Sequence, residues 1–146
     1  MVNKIFIEEK INLIERDLSR LKIFADFTIA EISHDFIKYG ALKSMMMEII
    51  GRAIDINEHL IAELFEPKMD APKSYKETFL ILDNLKILPK DFAVKISKSA
   101  GFRNAIVHEY NNLDKGIVYK SVGEALEQYN QYCGCIMVFL EKNKKK

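Results

Sequence analysis

The segment from Gly101 to Tyr110 contains an arginine, a histidine and a tyrosine within eight positions, at Arg103, His108 and Tyr110. An arginine keeps its charge and presents a planar fork of donors that fits phosphate oxygens. Free histidine titrates at a pH of about 6.5, so an imidazole accepts or donates a proton readily near neutral pH. A tyrosine adds a phenolic hydroxyl. In a segment that otherwise looks like a buried helix, these residues predict a site that binds phosphate and transfers protons.

The spacing of the three residues does not direct them to one point on a straight helix. At about 100° per residue, Arg103 and Tyr110 lie about 20° apart, whereas His108 lies about 140° from Arg103. Either the helix bends or bulges here, or a second copy of the chain completes the site. A symmetric dimer that packs this helix against its mate would bring two arginines and two histidines into one groove. We favour the dimer.

The pattern R-x4-H-x-Y formed by these residues resembles the motif of the HepT-like toxins, a branch of the HEPN superfamily. The Gly-Phe-Arg-Asn run before the histidine and Asp114 beyond the tyrosine are similar to the usual sequence of that family. Upstream, residues 52–61 resemble the long second helix of the family, and residues 72–75 resemble the entry to its third. The resemblance covers almost the whole chain, most firmly residues 45–119.

This resemblance implies an all-helical homodimer that acts as a metal-independent endoribonuclease toxin and needs no cofactor. Arg103 and His108 would be catalytic. Separately from the resemblance, the position of Asn104 one turn before His108 favours a supporting role that orients the histidine; Asn104 could also bind RNA or turn the backbone at a helix junction. The implied partners are RNA and an MntA-like nucleotidyltransferase antitoxin, with which the homodimer can form a larger hetero-oligomer. The antitoxin would transfer AMP to Tyr110 and block the RNA groove.

RNA carries its own nucleophile, the 2′-hydroxyl, so the protein needs a base, an acid and positive charge near the phosphorus. His108 can fill either proton role, typically worth about 10²- to 10⁴-fold in rate, and Arg103 can stabilise the developing charge. The expected products are a 2′,3′-cyclic phosphate and a 5′-hydroxyl. Structural roles remain open: His108 as a partly buried histidine bound to a carbonyl, Arg103 paired with Glu109, and Tyr110 as a core tyrosine.

Two other functions fit the same residues. In the first, the chain is a non-catalytic helical module that binds a nucleotidyltransferase and recognises a nucleotide through Arg103 and His108. In the second, the chain is a degenerate helical dimer kept only for structure. The intact set of Arg103, His108 and Tyr110 makes the second less attractive. An RNase assay distinguishes the non-catalytic binding module from the endoribonuclease.

Composition limits the alternatives. The chain has 146 residues, which predicts one domain over residues 1–146. Its 22 Lys plus Arg and 21 Asp plus Glu give a net charge of +1, which argues against a strongly basic nucleic-acid binder but permits a local positive groove.

We find no membrane-spanning run, signal peptide, phosphate-binding glycine loop or convincing metal-ligand spacing. His34 and His59 are expected on helix surfaces. Cys133 and Cys135 are expected to be reduced thiols in a cytoplasmic protein.

The apolar spacing predicts an all-α antiparallel bundle of about five helices. Gly40 and Gly51 lie inside the second helix and either permit a close helix approach or mark a bend. The tail, residues 142–146, is expected to be frayed. The first predicted helix follows Asn3 and runs to about Phe24, with an apolar stripe of Ile7, Ile11, Ile14, Leu18 and Leu21. The second runs from about Phe27 to Phe65, with Ser33 or Asp35 as a cap, and the third runs from the Ser74 capping box to before Pro89. The fourth is capped by Asp91 and continues through the Arg103 motif, and the last runs from about Ile117 to Glu141.

Overall fold

The computed structural model describes residues 1–108 and 114–144, and within these ranges every regular element is an α-helix. The all-α prediction is therefore confirmed. The five predicted helices correspond to seven helical segments in the described ranges because the second and the fourth are each divided. The segments are α1 Lys4–Ala25, α2 Ile29–Ser33, α3 Phe36–Leu64, α4 Tyr75–Asn84, α5 Lys90–Ser97, α6 Ser99–Val107 and α7 Lys115–Lys144.

Helix α1 follows the predicted pattern closely. The Asn3 side chain caps it by accepting a hydrogen bond of 3.1 Å from the Phe6 amide, which satisfies one of the amides that the first turn leaves without a partner. The predicted apolar stripe is buried along its whole length, and its members are Ile7, Ile11, Ile14, Leu18 and Leu21. This side of α1 packs against α3 and α7.

The predicted second helix is divided, and its expected continuity was wrong. A capping box of Thr28 and Glu31 starts α2, and Asp35 then caps α3 by accepting from the amides of Ile37 and Lys38. The hydrogen bond from the Lys38 amide is the main cause that lowers the pKa of the Asp35 carboxyl. Phe36 and Ile37, the first two residues of α3, face solvent with 85% and 68% of their surface exposed.

Contacts between α1 and α3 show that the two helices run antiparallel. The Asn3 amide donates to His59 Nε2 at 2.9 Å, and Lys10 Nζ lies 3.0 Å from Asp55 Oδ2. Farther along α1, the buried carboxylate of Asp17 pairs with Arg52. As residue numbers increase along α1, the residue numbers of their partners on α3 therefore decrease.

Helix α7 completes the core on the other side of α1. Near its start, the Tyr119 hydroxyl donates to the Phe27 carbonyl at 2.6 Å, and Lys115 Nζ donates to the Ser33 carbonyl at 3.0 Å. Farther along, the Tyr132 hydroxyl lies 3.0 Å from the Ala53 carbonyl. Helix α7 is therefore antiparallel to α1 and parallel to α3. It extends to Lys144, beyond the predicted end at Glu141.

The start of α4 contains the predicted cap. Ser74 Oγ accepts from the Glu77 amide at 3.2 Å. The Glu77 carboxylate accepts from the Lys73 amide, one residue before the cap position expected for a capping box. The next predicted cap, Asp91, was wrong because α5 begins at Lys90 after Pro89, without a side-chain cap.

A polar network is buried where α3, α4 and α7 meet. Asn57 Nδ2 donates to Thr78 Oγ1 at 3.1 Å, and the Tyr132 hydroxyl lies 2.6 Å from Asn57 Oδ1. Thr78 Oγ1 donates onward to the Tyr75 carbonyl at 2.6 Å. All three side chains that form the network are almost fully buried, so these hydrogen bonds offset the cost of removing polar groups from water. None of the helices in the described ranges has the length and apolar character needed to cross a membrane.

Candidate functional site

The helix that carries Arg103 is separate from the one before it. Instead of the single predicted fourth helix, the chain forms α5 and α6, which divide at Lys98. Beside the break, Ser97 Oγ donates to the Val94 carbonyl and Ser99 Oγ donates to the Ile96 carbonyl, each at 2.7 Å. Such serine bonds compete with the helical backbone ladder. Both lie beside Lys98, at a division that contains neither proline nor glycine.

Helix α6 is fastened to α7 at its first residue. Ser99 Oγ lies 2.6 Å from the hydroxyl of Tyr129, which is completely buried. Burial raises the pKa of Tyr129, and the Ser99 hydrogen bond acts in the opposite direction. Only Ala100 and Ile106 of α6 are buried. The expectation that this segment is a buried helix was therefore wrong, since most of α6 is half-buried or exposed.

Arg103 lies between α3 and α4. Its guanidinium carbon is 5.5 Å from the centre of the Tyr75 ring, within the range of a cation–π contact. On the α3 side, a methyl group at position 51 would lie 3.6 Å from Arg103 Nε, so Gly51 leaves room for the arginine. An aromatic ring and a helix surface thus hold the guanidinium.

No carboxylate in residues 1–108 or 114–144 forms an ion pair with Arg103. The Nε atom is buried, and within the same ranges it has no hydrogen-bond acceptor. The alternative that Arg103 pairs with Glu109 concerns a residue outside the described part of the chain. Among the residues described, the charge of Arg103 is available to an anionic ligand.

His108 lies at the C-terminal end of α6. Its amide donates to the Asn104 carbonyl at 3.1 Å, and its backbone remains in the right-handed helical region with φ −83° and ψ −4°. The residue is exposed, in contrast to the alternative of a partly buried structural histidine. Asn104 is also exposed and lies one helical turn before His108, so both side chains belong to the same side of α6.

Asn104 and Tyr75 border a surface cleft of about 380 Å³. The cleft lies between α3, the loop before α4, the start of α4 and α6. Its other lining residues include Glu58, Pro72, Lys73 and Ser74. Because Asn104 lines the cleft and follows Arg103 directly in the chain, the cleft lies beside Arg103 on α6.

Tyr110, the predicted modification site, lies outside the described residues. Beyond it, Asp114 Oδ1 accepts from the Gly116 amide at 2.8 Å and from the Ile117 amide at 3.4 Å. The carboxylate of Asp114 thus fits the role of a cap for the first turn of α7.

Tyr75 and Gly51 were not predicted as parts of the site. Tyr75 appeared in the sequence only as the first residue after a capping serine, and 43% of its surface is exposed. Gly51 was expected either to permit a close helix approach or to mark a bend, and no approaching group was predicted. No local pattern connects either residue with Arg103, because the contacts join different helices.

The remaining histidines and cysteines form no further site within the described ranges. His59 accepts the Asn3 amide and packs on the Phe6 ring at 5.2 Å between centroids, and His34 lies exposed after α2. Cys133 and Cys135 are free thiols. No group of three His, Cys, Asp or Glu in residues 1–108 and 114–144 could hold a metal ion.

The chain is similar to known nucleases over nearly its full length. The family model described as Ribonuclease HepT-like matches residues 14–136. A tRNA nuclease HepT of Aphanizomenon flos-aquae is 32% identical over 141 residues, which cover 95% of this chain and 92% of that protein. An mRNA nuclease HepT of Shewanella oneidensis is 25% identical over 128 residues, which cover 87% of this chain and 92% of that protein.

A solved structure supports the same fold. The tri-AMPylated HEPN toxin of Shewanella oneidensis, in complex with an MNT antitoxin, superimposes with a TM-score of 0.80. The match covers 93% of this chain and 98% of that one at 24% identity. Because the family model spans residues 14–136 and a relative of 32% identity aligns with 95% of the chain, this protein belongs to the Ribonuclease HepT-like family and is a nuclease.

Proposed function

We propose that this chain is a metal-independent endoribonuclease toxin in which Arg103 and His108 are catalytic. The main support is the environment of Arg103: Tyr75 and Gly51 hold the guanidinium, and no described carboxylate neutralises it. A fixed cation without a counter-ion suits a phosphate whose charge grows during reaction. The exposed His108 at the end of the same helix supplies a group that can transfer protons.

In the proposed reaction, the 2′-oxygen attacks the adjacent phosphorus while a histidine removes its proton. The bond from phosphorus to the 5′-oxygen breaks, and an imidazolium donates a proton to that leaving oxygen. The products are a 2′,3′-cyclic phosphate and a 5′-hydroxyl. Arg103 stabilises the phosphorane oxygens, and Asn104 supports His108 from one turn away.

We further propose that two copies of the chain form the complete site, so that two histidines divide the roles of base and acid. The exposed side chain of Val107, directly before His108, favours packing of α6 against a second copy. A net charge of only +1 also favours pooling of basic residues in a groove between protomers. The proposed setting is the cytoplasm, where RNA is available and Cys133 and Cys135 remain reduced.

The proposed regulator is a nucleotidyltransferase antitoxin. The Shewanella oneidensis toxin, an AMPylated protein in complex with an MNT antitoxin, supports a similar partner for this chain. The antitoxin would join the Tyr110 oxygen to the α-phosphorus of ATP and release pyrophosphate. The bulky, charged adenylate would obstruct the groove and repel RNA.

The test measures RNA cleavage in EDTA by the wild type, His108→Ala and Arg103→Ala, with His34→Ala as a matched control at another exposed histidine. We expect cleavage by the wild type and His34→Ala, and a loss of at least about 100-fold in each site variant. Equal cleavage by folded His108→Ala would remove this residue from the mechanism. Absence of cleavage in every sample would favour the non-catalytic binding module.

Mixing of the wild type with His108→Ala tests the composite site. After exchange of subunits, a heterodimer keeps only one His108 and therefore lacks either the base or the acid. An excess of His108→Ala should inhibit cleavage by the wild type, whereas the same excess of His34→Ala should not. Mass measurement after co-expression with the antitoxin tests Tyr110, because an unmodified tyrosine beside an active transferase would contradict the proposed control.

A further inference from the structure

The cleft bordered by Tyr75 and Asn104, which we call the Tyr75 cleft, has the size of a small ligand site. Its volume of about 380 Å³ lies in the range of small-molecule pockets and suits one nucleoside. Its residues come from four parts of the chain: Glu58 of α3, Pro72 and Lys73 of the loop before α4, Tyr75 of α4 and Asn104 of α6.

The Tyr75 cleft is connected to Arg103 through the ring of Tyr75. The ring of Tyr75 contacts the Arg103 guanidinium and also lines the cleft. Asn104 follows Arg103 directly and lies one turn before His108. An RNA strand whose phosphate reaches Arg103 would therefore bring its neighbouring nucleotide to the mouth of this cleft.

The side chains of the cleft fit a base better than a phosphate. Exposed aromatic rings stack on nucleobases in single-stranded complexes, and the side chain of Tyr75 is partly open to solvent. The Asn104 amide offers a donor and an acceptor. Glu58 adds a carboxylate, which repels phosphate and accepts hydrogen bonds from amino groups.

Glu58 gives the cleft a chemical preference. Adenine, cytosine and guanine carry an exocyclic amino group that can donate to a carboxylate. Uracil has carbonyl oxygens at the corresponding positions, which the carboxylate repels, and only its ring N3–H, between the two carbonyls, can donate. Lys73, on the loop side of the cleft, can neutralise the backbone phosphate of the same nucleotide.

We propose that the Tyr75 cleft is a nucleobase subsite that binds the base beside the cleaved phosphate and discriminates against uracil through Glu58. This inference rests on the proposed ribonuclease function. Tyr75 stacks on the base, Asn104 and Glu58 contact its edge, and Arg103 holds the adjoining phosphate.

The experiment has a binding arm that does not depend on cleavage. Oligoadenylate, oligocytidylate and oligouridylate with 2′-O-methyl groups lack the attacking hydroxyl, and fluorescence anisotropy gives their dissociation constants. We expect the wild type to bind oligoadenylate and oligocytidylate about tenfold more tightly than oligouridylate. Glu58→Gln should reduce this difference to about twofold or less, since an amide offers both a donor and an acceptor. Glu9→Gln, at an exposed glutamate on α1, is the matched control and should keep the tenfold difference in affinity.

The cleavage arm maps cut sites in an RNA library with random bases. The wild type and Glu9→Gln should disfavour uracil at one position beside the cut, and Glu58→Gln should lose that preference. Cleavage without any base preference, identical in all three proteins, overturns the subsite while the ribonuclease function stands. The expected binding pattern without cleavage overturns the ribonuclease function and with it the position beside a cut, and it leaves the Tyr75 cleft as a nucleobase site of a non-catalytic binding module. Equal binding of all three oligomers by the wild type overturns the subsite whatever the cleavage result.

Discussion

Arg103 and Tyr75 form a cation–π contact between α6 and α4, with 5.5 Å from the guanidinium carbon to the ring centre. Such contacts contribute about 0.5–1 kcal/mol where the ring is partly exposed. The contact orients the arginine without the neutralising effect of a carboxylate. The ring therefore determines the direction of the cation and leaves its charge for a ligand.

The first prediction concerns this contact. Tyr75→Phe retains the ring and should keep kcat for RNA cleavage within about twofold of the wild type. Tyr75→Leu removes the aromatic face, so Arg103 should lose its fixed orientation and kcat should fall about tenfold. Steady-state cleavage kinetics measure the effect, with thermal unfolding as the check on folding. A Leu variant with the kcat of the wild type would show that Tyr75 does not orient Arg103.

Such a contact cannot be read from sequence. The stripe of α1 was predictable because Ile7, Ile11 and Ile14 alternate steps of four and three on one helix. Arg103 and His108 were recognised because they are close in sequence and resemble a family motif. The pairing of Arg103 with Tyr75 depends on how two helices distant in sequence pack together, and neither residue carries local information about that packing.

The predictions of helix boundaries were wrong for a related reason. At the division beside Lys98, the hydroxyls of Ser97 and Ser99 donate to backbone carbonyls of the preceding turn. Serine occurs in helices without breaking them, so its presence alone does not predict a break. Likewise, the second helix was expected to continue from about Phe27 to Phe65, but the caps at Thr28 and Asp35 divide it into α2 and α3.

The second prediction concerns the buried network of α3, α4 and α7. Tyr132→Phe removes the hydroxyl that lies 2.6 Å from Asn57 Oδ1 and 3.0 Å from the Ala53 carbonyl. Because both acceptors are inside the protein, the free energy of unfolding should fall by about 1–3 kcal/mol. Urea denaturation measures the change.

Tyr119→Phe is the matched control for that prediction. The Tyr119 hydroxyl also donates to a backbone carbonyl, that of Phe27, but the residue is only partly buried. Water can replace the lost hydrogen bond there, so the loss should be smaller. An equal loss in the two variants would mean that burial does not determine the contribution of the Tyr132 hydroxyl.

The third prediction concerns the thiols of α7. Burial is the main cause that raises the pKa of Cys133 to about 12, and the charge of Glu15 adds to it. Burial also raises the pKa of Cys135. Both thiols should therefore react slowly with iodoacetamide at pH 8, and Cys133, the more deeply buried, should react more slowly than Cys135. Mass spectrometry of the alkylated native protein gives both rates.

The raised pKa of Cys133 also has a consequence for stability. The folded state binds the thiol proton of Cys133 more tightly than the unfolded state. The contribution of Cys133 to the free energy of unfolding is therefore complete below the unfolded pKa of about 9 and decreases as pH rises toward 12. Cys133→Ala should lose stability less steeply than the wild type over this range. Burial is the main cause that raises the pKa values of Tyr129 and Tyr132, and the charge of Cys133 adds to both. The comparison therefore measures Cys133 together with its effect on these two tyrosines. Parallel curves would contradict the assignment to Cys133.

The last prediction concerns the α3 side of Arg103. A methyl group at position 51 would lie 3.6 Å from Arg103 Nε, an ordinary van der Waals distance. Gly51→Ala should therefore keep cleavage within about twofold and raise the free energy of unfolding by up to about 1 kcal/mol, because alanine is the better helix former. A larger side chain requires the space of the guanidinium, so Gly51→Leu should displace Arg103 and lower kcat about 100-fold.

Gly40 provides the matched position on the same helix, because a methyl group there would have no neighbour within 4 Å. Gly40→Leu adds the same side chain to α3 without contact with Arg103, and it should cleave RNA like the wild type. Measurement of kcat in both leucine variants, with unfolding curves for each, separates displacement of the arginine from a general effect on the helix. If Gly51→Leu and Gly40→Leu cleave equally well, the packing of α3 against Arg103 is not needed for catalysis, and the orientation of the guanidinium must come from α4 alone.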